Sequence, residues 1–204
     1  MHQQDFKGDI QWIVVDDCWP ETPCTLGQTI IHPRPSWEPG RNTQMRNMLA
    51  AFPLIEGEAV MIIEDDDYYA PDYLSAMLDR LDAAPLVGEA ETIYYHVGIP
   101  GYTINRNTRH SSLFQTAFKR ELIPEVETIC RRLPRFADIE LWREIGGRVF
   151  QQSLSSIGMK GLPGRPGIGI GHKRQRGWIQ DPEFKTLRKW IGEDAEAYRG
   201  FNGN

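Results

Sequence analysis

Two short apolar runs in this chain end directly in acidic residues. Residues 10–15 read Ile-Gln-Trp-Ile-Val-Val and lead into the aspartate pair 16–17, while residues 60–63 read Val-Met-Ile-Ile and lead into four acids at 64–67. β-Branched and aromatic residues favour strands, and an unbroken apolar run favours a strand buried on both faces, as in a parallel sheet. The pattern therefore predicts two strands whose carboxyl ends carry carboxylates, and it predicts that the strand at 60–63 is buried on both faces.

Helical periodicity follows each of these strands. Apolar side chains one turn apart predict a helix over residues 44–52 and a second helix between Pro71 and Pro85, and a further strand is predicted over residues 92–97. This strand–helix–strand–helix–strand order is typical of an α/β fold. We expect a single domain in which helices flank a mixed, mainly parallel sheet.

The remaining segments show weaker patterns. Residues 18–39 read as a long loop with one short strand at 29–31. Beyond residue 98 the predicted elements are a strand within 111–118, a helix over 120–133, a short helix within 135–147, a glycine-rich mobile loop over 158–171, and a final amphipathic helix carrying Phe184, Leu187, Trp190 and Ile191. We expect residues 10–97 and residues 98–204 to form the two halves of this domain.

The charge is distributed unevenly. Residues 1–100 carry 5 Lys and Arg against 17 Asp and Glu, a net charge of −12, whereas residues 101–204 carry 18 against 11, a net charge of +7. One half is thus suited to cations and the other to anions, unless the two halves simply neutralise each other across their contact. The basic half permits a nucleic acid partner through counterion release, but it contains no recognised reading motif.

Composition narrows the class of protein. The chain of 204 residues has no apolar run long enough to span a membrane, no apolar segment typical of a secretory signal at its start, and three cysteines without metal-site spacing. An odd number of cysteines argues against a disulfide framework. The expected compartment is therefore the cytoplasm.

The acidic run at 64–67 is the strongest chemical signal. Acidic runs are commonly solvated turns, in which water and salt offset the mutual repulsion. Here the run follows a predicted buried strand, and ligands of open α/β sheets collect at the carboxyl ends of strands. Carboxylates at that place are hard oxygen ligands for Mg²⁺ or Mn²⁺, and the cation can in turn hold a diphosphate.

Four elements in order resemble the family 2 glycosyltransferases, which have the GT-A fold. The family's acid-terminated strand is matched by Val14-Val15-Asp16-Asp17, its following helix by Met45-Arg46-Asn47, its DxD-type motif by residues 64–71, and a later acidic helix by Asp138 with Leu141-Trp142-Arg143. The resemblance covers roughly residues 2–145. It implies that residues 10–97 form a nucleotide- and metal-binding half and that residues 98–204 form an acceptor-side half with a basic C-terminal segment. It implies a metal-dependent hexosyltransferase that moves a sugar from a nucleotide-diphosphate sugar, a UDP-sugar above all, to a hydroxyl acceptor such as a glycan.

The resemblance also implies roles for the donor side of the site. Asp17 matches the acid that hydrogen-bonds the nucleobase, and Asp65 matches the position near the ribose. Asp66 matches the metal ligand that bridges to the diphosphate. The neighbouring Asp67 is a further candidate ligand of Mn²⁺ or Mg²⁺. Glu64 is expected to contribute to the same nucleotide site.

Arg46 is a candidate for the phosphate or the base, with a solvated helix face as the alternative.

Further residues are candidates for the reaction itself. Asp138 matches the catalytic base of inverting members, with Glu140 as a nearby alternative, although a salt bridge to a neighbouring arginine is an equally simple role for Asp138. His172 is similar to a late histidine that completes the metal shell, but a lone histidine is commonly structural. The basic residues that follow it are expected near the phosphates; they are Lys173, Arg174 and Arg176.

The chain departs from the family at its beginning. In that family a strand and a helix precede the first acid-terminated strand, whereas only residues 1–9 precede it here. We expect either that this unit has been lost or moved, or that the protein builds its nucleotide pocket without it. Two other functions therefore stay open. One is a nucleotidyltransferase, which needs similar acids but also a glycine-rich basic first loop that is absent here. The other is a non-catalytic or degenerate nucleotide-sugar-binding module.

Overall fold

In the computed structural model of the chain, residues 3–18, 21, 27–38, 41–133, 135–151, 155–163, 170–174 and 176–201 are described. The strands, in chain order, are β1 (Ile13–Val15), β2 (Thr29–Ile31), β3 (Ala59–Met61), β4 (Tyr68–Tyr69), β5 (Leu86–Glu89), β6 (Glu91–His96), β7 (Gly101–Arg106), β8 (Thr116–Lys119), β9 (Arg148–Phe150), β10 (Ser156–Lys160) and β11 (Ile179–Gln180). The α-helices are α1 (Gln44–Ala51), α2 (Tyr73–Leu81), α3 (Ile123–Arg132), α4 (Ala137–Glu144), α5 (Lys185–Ile191) and α6 (Ala195–Arg199).

The strands form three sheets that contain both parallel and antiparallel pairs. β1 and β2 pair in parallel, a five-stranded sheet has the order β11-β7-β6-β10-β4, and a four-stranded sheet has the order β3-β8-β5-β9. With helices flanking these sheets, the protein is a mixed α/β single domain, as expected. The prediction of a mainly parallel sheet is wrong, because five of the eight strand pairs among the described residues are antiparallel.

The antiparallel pairs have a simple topological cause. β6 and β7 are joined by the short connection 97–100, and such a short connection can only make a hairpin, since a parallel pair needs a crossover of a dozen residues or more. β8 runs antiparallel to both β3 and β5 and separates them in the sheet.

Most predicted elements of residues 10–97 are confirmed. The strands expected at 10–15, 29–31, 60–63 and 92–97 appear as β1, β2, β3 and β6, and the two helices appear as α1 and α2. The expected burial of residues 60–63 on both faces is wrong, because β3 is a half-buried edge strand that pairs, among the described strands, only with the antiparallel β8. The final amphipathic helix appears as α5, with Leu187 and Ile191 buried. The buried strand β5 had no counterpart in the prediction.

The glycine-rich loop expected over residues 158–171 is wrong for its first part. Residues 156–160 form β10, all five of which are buried. A Cβ atom on Gly158 would approach the Tyr94 ring to 2.6 Å. This glycine therefore permits close packing inside a sheet rather than a turn. Residues 164–169, which include part of the glycine pattern, lie outside the described residues.

The two larger sheets meet along a seam, which we define by Ala90 and the turn of residues 64–67. Ala90 alone separates β5 of the four-stranded sheet from β6 of the five-stranded sheet. Residues 64–67 likewise connect β3 of the four-stranded sheet to β4 of the five-stranded sheet. The acidic run thus spans two sheets.

A buried hydrogen-bond network holds the seam together. Glu89, only 1% exposed, accepts hydrogen bonds of 2.7 Å from Gln115 Nε2 and from Ser156 Oγ, and it also accepts one from Ser155. Arg80 forms an ion pair with the same carboxylate at 3.4 Å. Burial raises the pKa of Glu89, and the Ser156, Arg80 and Gln115 contacts oppose that rise. Glu89 belongs to β5 and Ser156 to β10, so the network ties one sheet to the other.

Candidate functional site

The acidic run forms a closed turn between β3 and β4. The backbone N–H of Asp67 donates to the Glu64 carbonyl oxygen at 3.3 Å. The backbone N–H of Glu64 donates to the phenolic oxygen of Tyr69 at 2.9 Å. β4 is in turn paired with β10 in antiparallel register. Both ends of the turn are therefore anchored in sheets, and the directions of the acidic side chains are fixed.

Three of the four acids converge. Glu64, Asp66 and Asp67, which we call the acidic cluster, each offer a carboxylate oxygen within 4.8 Å of those of the other two. The side chain of Asp66 is 43% exposed, whereas that of Asp67 is fully buried at 0%. Asp65 is exposed and lies outside this cluster. The turn thus combines Asp66 and Asp67, predicted as metal ligands, with Glu64, predicted for the nucleotide.

The two carboxylate oxygens of Asp67 have different surroundings. Oδ1 accepts hydrogen bonds from the Met159 backbone N–H at 2.8 Å and from Lys160 Nζ at 3.0 Å. Oδ2 is buried and has no hydrogen-bond partner among the described residues. A buried acceptor without a partner costs about 1 to 3 kcal/mol. A cation bound in the acidic cluster would satisfy it.

Lys160, the last residue of β10, is the main participant that the sequence analysis missed. It is 6% exposed, and its Nζ atom lies 3.0 Å from Asp67 Oδ1 and 4.0 Å from Asp66 Oδ2. The ammonium group also lies 5.7 Å from the centre of the Tyr94 ring and 5.9 Å from that of Phe114. The available signal was the strand alternation of residues 156–160, which the surrounding glycines obscured.

Burial and mutual repulsion shape the protonation of this cluster. Burial raises the pKa of Asp67 well above its ordinary value, Lys160 opposes the rise, and the other two acids add to it. Burial also raises the pKa of Glu64, again opposed by Lys160. Burial alone would lower the pKa of the Lys160 ammonium, but the three acids outweigh it and raise that pKa. The cluster is thus a strongly interacting set of three carboxyls and one ammonium.

A second acid, at the end of β1, lies in a separate hydrogen-bonded group. Asp17 is 2% exposed, and its Oδ2 accepts hydrogen bonds from Arg46 Nη2 at 3.1 Å and from Asn47 Nδ2 at 2.8 Å. The exposed fraction of the Arg46 side chain is 31%, and Arg46 also donates to the Pro35 carbonyl oxygen. Asp17 and Arg46, both predicted for nucleotide binding, therefore lie together.

Helix α1 connects this group to the acidic cluster. Gln44, the first residue of α1, donates from Nε2 to Glu64 Oε1 at 2.8 Å. Arg46 and Asn47, in the same first turn, hold Asp17. One helical turn thus contacts the acids that follow both β1 and β3, which is the arrangement that the order of sequence elements predicts.

His172 lies within electrostatic reach of the cluster. Burial and the Lys160 ammonium lower its pKa, while Asp66 raises it. The His96 ring hydrogen-bonds the backbone of His172. The imidazole nitrogens of His172 are not among the mutually close ligand atoms of Glu64, Asp66 and Asp67 in the described chain. Its role as a metal ligand stays a prediction.

The basic residues after His172 are exposed. Lys173, Arg174 and Arg176 have side chains open to solvent. Their predicted place near the phosphates therefore stays a prediction.

The two candidates for the catalytic base differ clearly. Burial raises the pKa of Asp138, and His110 and backbone N–H groups at the start of α4 oppose that rise. Glu140 instead pairs with Arg143, three residues along α4 and largely exposed. A partly buried carboxyl with a raised pKa is a better proton acceptor than one engaged with a guanidinium group. Asp138 is therefore the stronger candidate of the two.

The donor set fits a hard divalent cation. Carboxylate oxygens are the preferred ligands of Mg²⁺ and Mn²⁺, and the buried Oδ2 of Asp67 has an unused lone pair. The opposing feature is Lys160, which already supplies one positive charge to the cluster.

Comparison with known proteins adds no assignment. No family model matches the chain, and no curated protein matches it. In the described residues, no helix has the length and apolar character needed to cross a membrane.

Proposed function

We propose that the protein is a glycosyltransferase that transfers a sugar from a nucleotide-diphosphate donor to an acceptor hydroxyl. The observation that supports this most is the convergence of Glu64, Asp66 and Asp67 at the end of β3, with a buried Asp67 oxygen left unpaired. A solvated acidic turn would expose all of its carboxylates. The contacts of helix α1 with both Glu64 and Asp17 support the proposal further, because a sugar nucleotide needs a partner for its nucleobase near the groups that hold its diphosphate.

In this proposal the donor lies across α1. Asp17 and Arg46 contact the nucleobase or the adjoining phosphate, and Asp65, on the exposed side of the turn, faces the ribose. Glu64, Asp66 and Asp67 would hold Mn²⁺ or Mg²⁺, which when bound supplies electrostatic stabilisation of the leaving diphosphate.

The proposed transfer needs one proton acceptor. The acceptor oxygen forms a bond to the anomeric carbon, the bond from that carbon to the diphosphate oxygen breaks with its electron pair, and the hydroxyl proton passes to Asp138. Direct displacement of this kind inverts the anomeric configuration. A glycan hydroxyl is the first acceptor class to test, with the UDP-sugars as first donors.

The test is metal-dependent hydrolysis of UDP-sugars by the purified chain. We expect activity that requires Mn²⁺ or Mg²⁺, disappears in Asp66→Ala and persists in Asp79→Ala, which removes an exposed acid from α2. Activity that is indifferent to chelators and to Asp66→Ala would contradict the proposal. A steep loss of acceptor binding with rising salt would indicate a nucleic acid acceptor.

A non-catalytic nucleotide-sugar-binding module is the second candidate. The contacts that support donor binding, those of Asp17 and of the acidic cluster, support this candidate equally, because none of these groups is the proton acceptor that sugar transfer needs. Calorimetry distinguishes the two: UDP binding that requires Mn²⁺, without turnover of any donor and acceptor pair, supports the module.

A further inference from the structure

The acidic cluster contains its own cation. The Lys160 ammonium lies 3.0 Å from Asp67 Oδ1 and 4.0 Å from Asp66 Oδ2, in a position that is only 6% exposed. Strand β10 places it there, and the Tyr94 and Phe114 rings flank it. A lysine held on one side by aromatic rings and on the other by carboxylates has little room to move away.

The position of Lys160 matters for any second cation. Asp67 presents Oδ1 to Lys160, and its buried Oδ2 accepts no hydrogen bond from any described residue, while one oxygen of the same carboxylate lies within 4.8 Å of those of Glu64 and Asp66. The ammonium and a divalent ion would thus share one carboxylate and repel each other over a short distance. Water screens this repulsion poorly, because the ammonium group is largely buried.

We propose that Lys160 sets the cation affinity of the acidic cluster: it is a built-in counter-ion that keeps Mn²⁺ and Mg²⁺ weakly bound until an anionic ligand adds negative charge. This inference shares with the proposed function only the premise that the cluster binds a divalent cation. It does not depend on which nucleotide, sugar or acceptor is used. Lys160 is therefore a specificity-determining residue for the cation and not itself a ligand.

The experiment measures binding of Mn²⁺ alone by electron paramagnetic resonance of the free ion, without any nucleotide. We expect the Kd of Lys160→Met to be at least tenfold lower than that of the unmodified chain. Lys160→Arg, which keeps the charge, should stay close to the unmodified chain, and so should Lys189→Met, which removes an exposed lysine from α5. An unchanged or higher Kd in Lys160→Met, or no binding by it at all, overturns the proposal.

A second pair of variants covers the possibility that Lys160→Met does not fold. Asp67→Asn removes one acid, and Asp67→Asn with Lys160→Met removes that acid together with the ammonium, so neither variant buries an unpaired Asp67 charge. These two differ only in the lysine. The double variant should bind Mn²⁺ at least tenfold more tightly than Asp67→Asn, and equal affinities overturn the proposal. Failure of UDP-sugar turnover, measured separately, would refute the transferase while leaving this result intact.

Discussion

Removal of Asp67 should destabilise the fold far more than removal of Asp66, although both acids belong to the same cluster. In Asp67→Ala, the Lys160 ammonium loses its 3.0 Å partner while 7% of its side chain is exposed, and the Met159 N–H loses its acceptor. An uncompensated buried charge costs about 3 to 5 kcal/mol. Two effects offset part of this loss in stability. Asp66 remains 4.0 Å from Lys160, and the substitution also removes the unpaired Oδ2 of Asp67. We therefore expect a decrease of about 3 kcal/mol in the free energy of unfolding.

Asp66→Ala removes a side chain that is 43% exposed and whose distance to Lys160 is 4.0 Å. Ion pairs with such exposure contribute at most about 1 kcal/mol. Urea unfolding in the presence of EDTA, followed by tryptophan fluorescence, measures both variants without any contribution from bound metal. With an m value of about 2 kcal/mol/M, the midpoint of Asp67→Ala should fall by about 1.5 M, and that of Asp66→Ala by about 0.5 M or less.

Asp79→Ala is the control for loss of an acid at an exposed place, and it should unfold like the unmodified chain. Midpoints of Asp67→Ala and Asp66→Ala that agree within experimental error would refute the reasoning. Such a result would mean that the ammonium finds other partners when Asp67 is absent.

Three further predictions concern other parts of the molecule. Asp138→Asn should lower the rate of sugar transfer by at least about 100-fold, because it removes the proton acceptor, while the UDP–Mn²⁺ affinity measured by calorimetry stays unchanged. Glu140→Gln should retain its activity. Loss of activity in only Glu140→Gln contradicts the assignment of Asp138. Burial and Glu127 raise the pKa of the Cys130 thiol to about 11, so its reactive thiolate is scarce at neutral pH and its fraction grows tenfold per pH unit until the pH reaches that pKa. Peptide mapping after iodoacetamide treatment at pH 8 should show that the exposed Cys18 is labelled. Cys130 should stay unlabelled unless the protein is first unfolded. Gly161→Ala should lower the free energy of unfolding by more than about 2 kcal/mol, because φ of Gly161 is +76° and a Cβ atom would lie 2.1 Å from His96 Cε1. Gly146→Ala is the control: φ of Gly146 is +71° but a Cβ atom there meets open space, so the cost should be only about 1 kcal/mol. Equal melting temperatures of the two variants would exclude the clash.

The parts of the fold that were predictable depend on local patterns. The helices α1 and α2 carry a clear period of 3.6 residues, and β3 is an apolar run that ends at a charged turn. The expectation that ligand groups gather at the carboxyl end of a strand pointed to the acids after β3, and three of these four acids converge. These features need no knowledge of distant residues.

The parts that were missed depend on partners far away in sequence. The place of β8 between β3 and β5 is set by pairing with β3 across 56 to 60 residues and with β5 across 28 to 32 residues, which no local period reports. Lys160 is buried because Tyr94, Phe114 and Asp67 surround it, and none of them is a sequence neighbour. Its own surroundings in sequence, rich in glycine, favour a loop. A local pattern can therefore locate a charged turn but not the opposite charge that another strand brings to it.

The seam between the two larger sheets sets the width of the acidic cluster. Glu64 is attached to the four-stranded sheet through β3, whereas Lys160 is part of the five-stranded sheet through β10. The distance between the Glu64 carboxylate and the Lys160 ammonium therefore depends on how the two sheets are fastened to each other. The Glu89 network is such a fastening, because its hydrogen bonds join β5 to β10 in the interior. Residues that only hold the sheets together, such as Gln115 and Ser156, thereby contribute to the geometry of a charged cluster to which they do not belong.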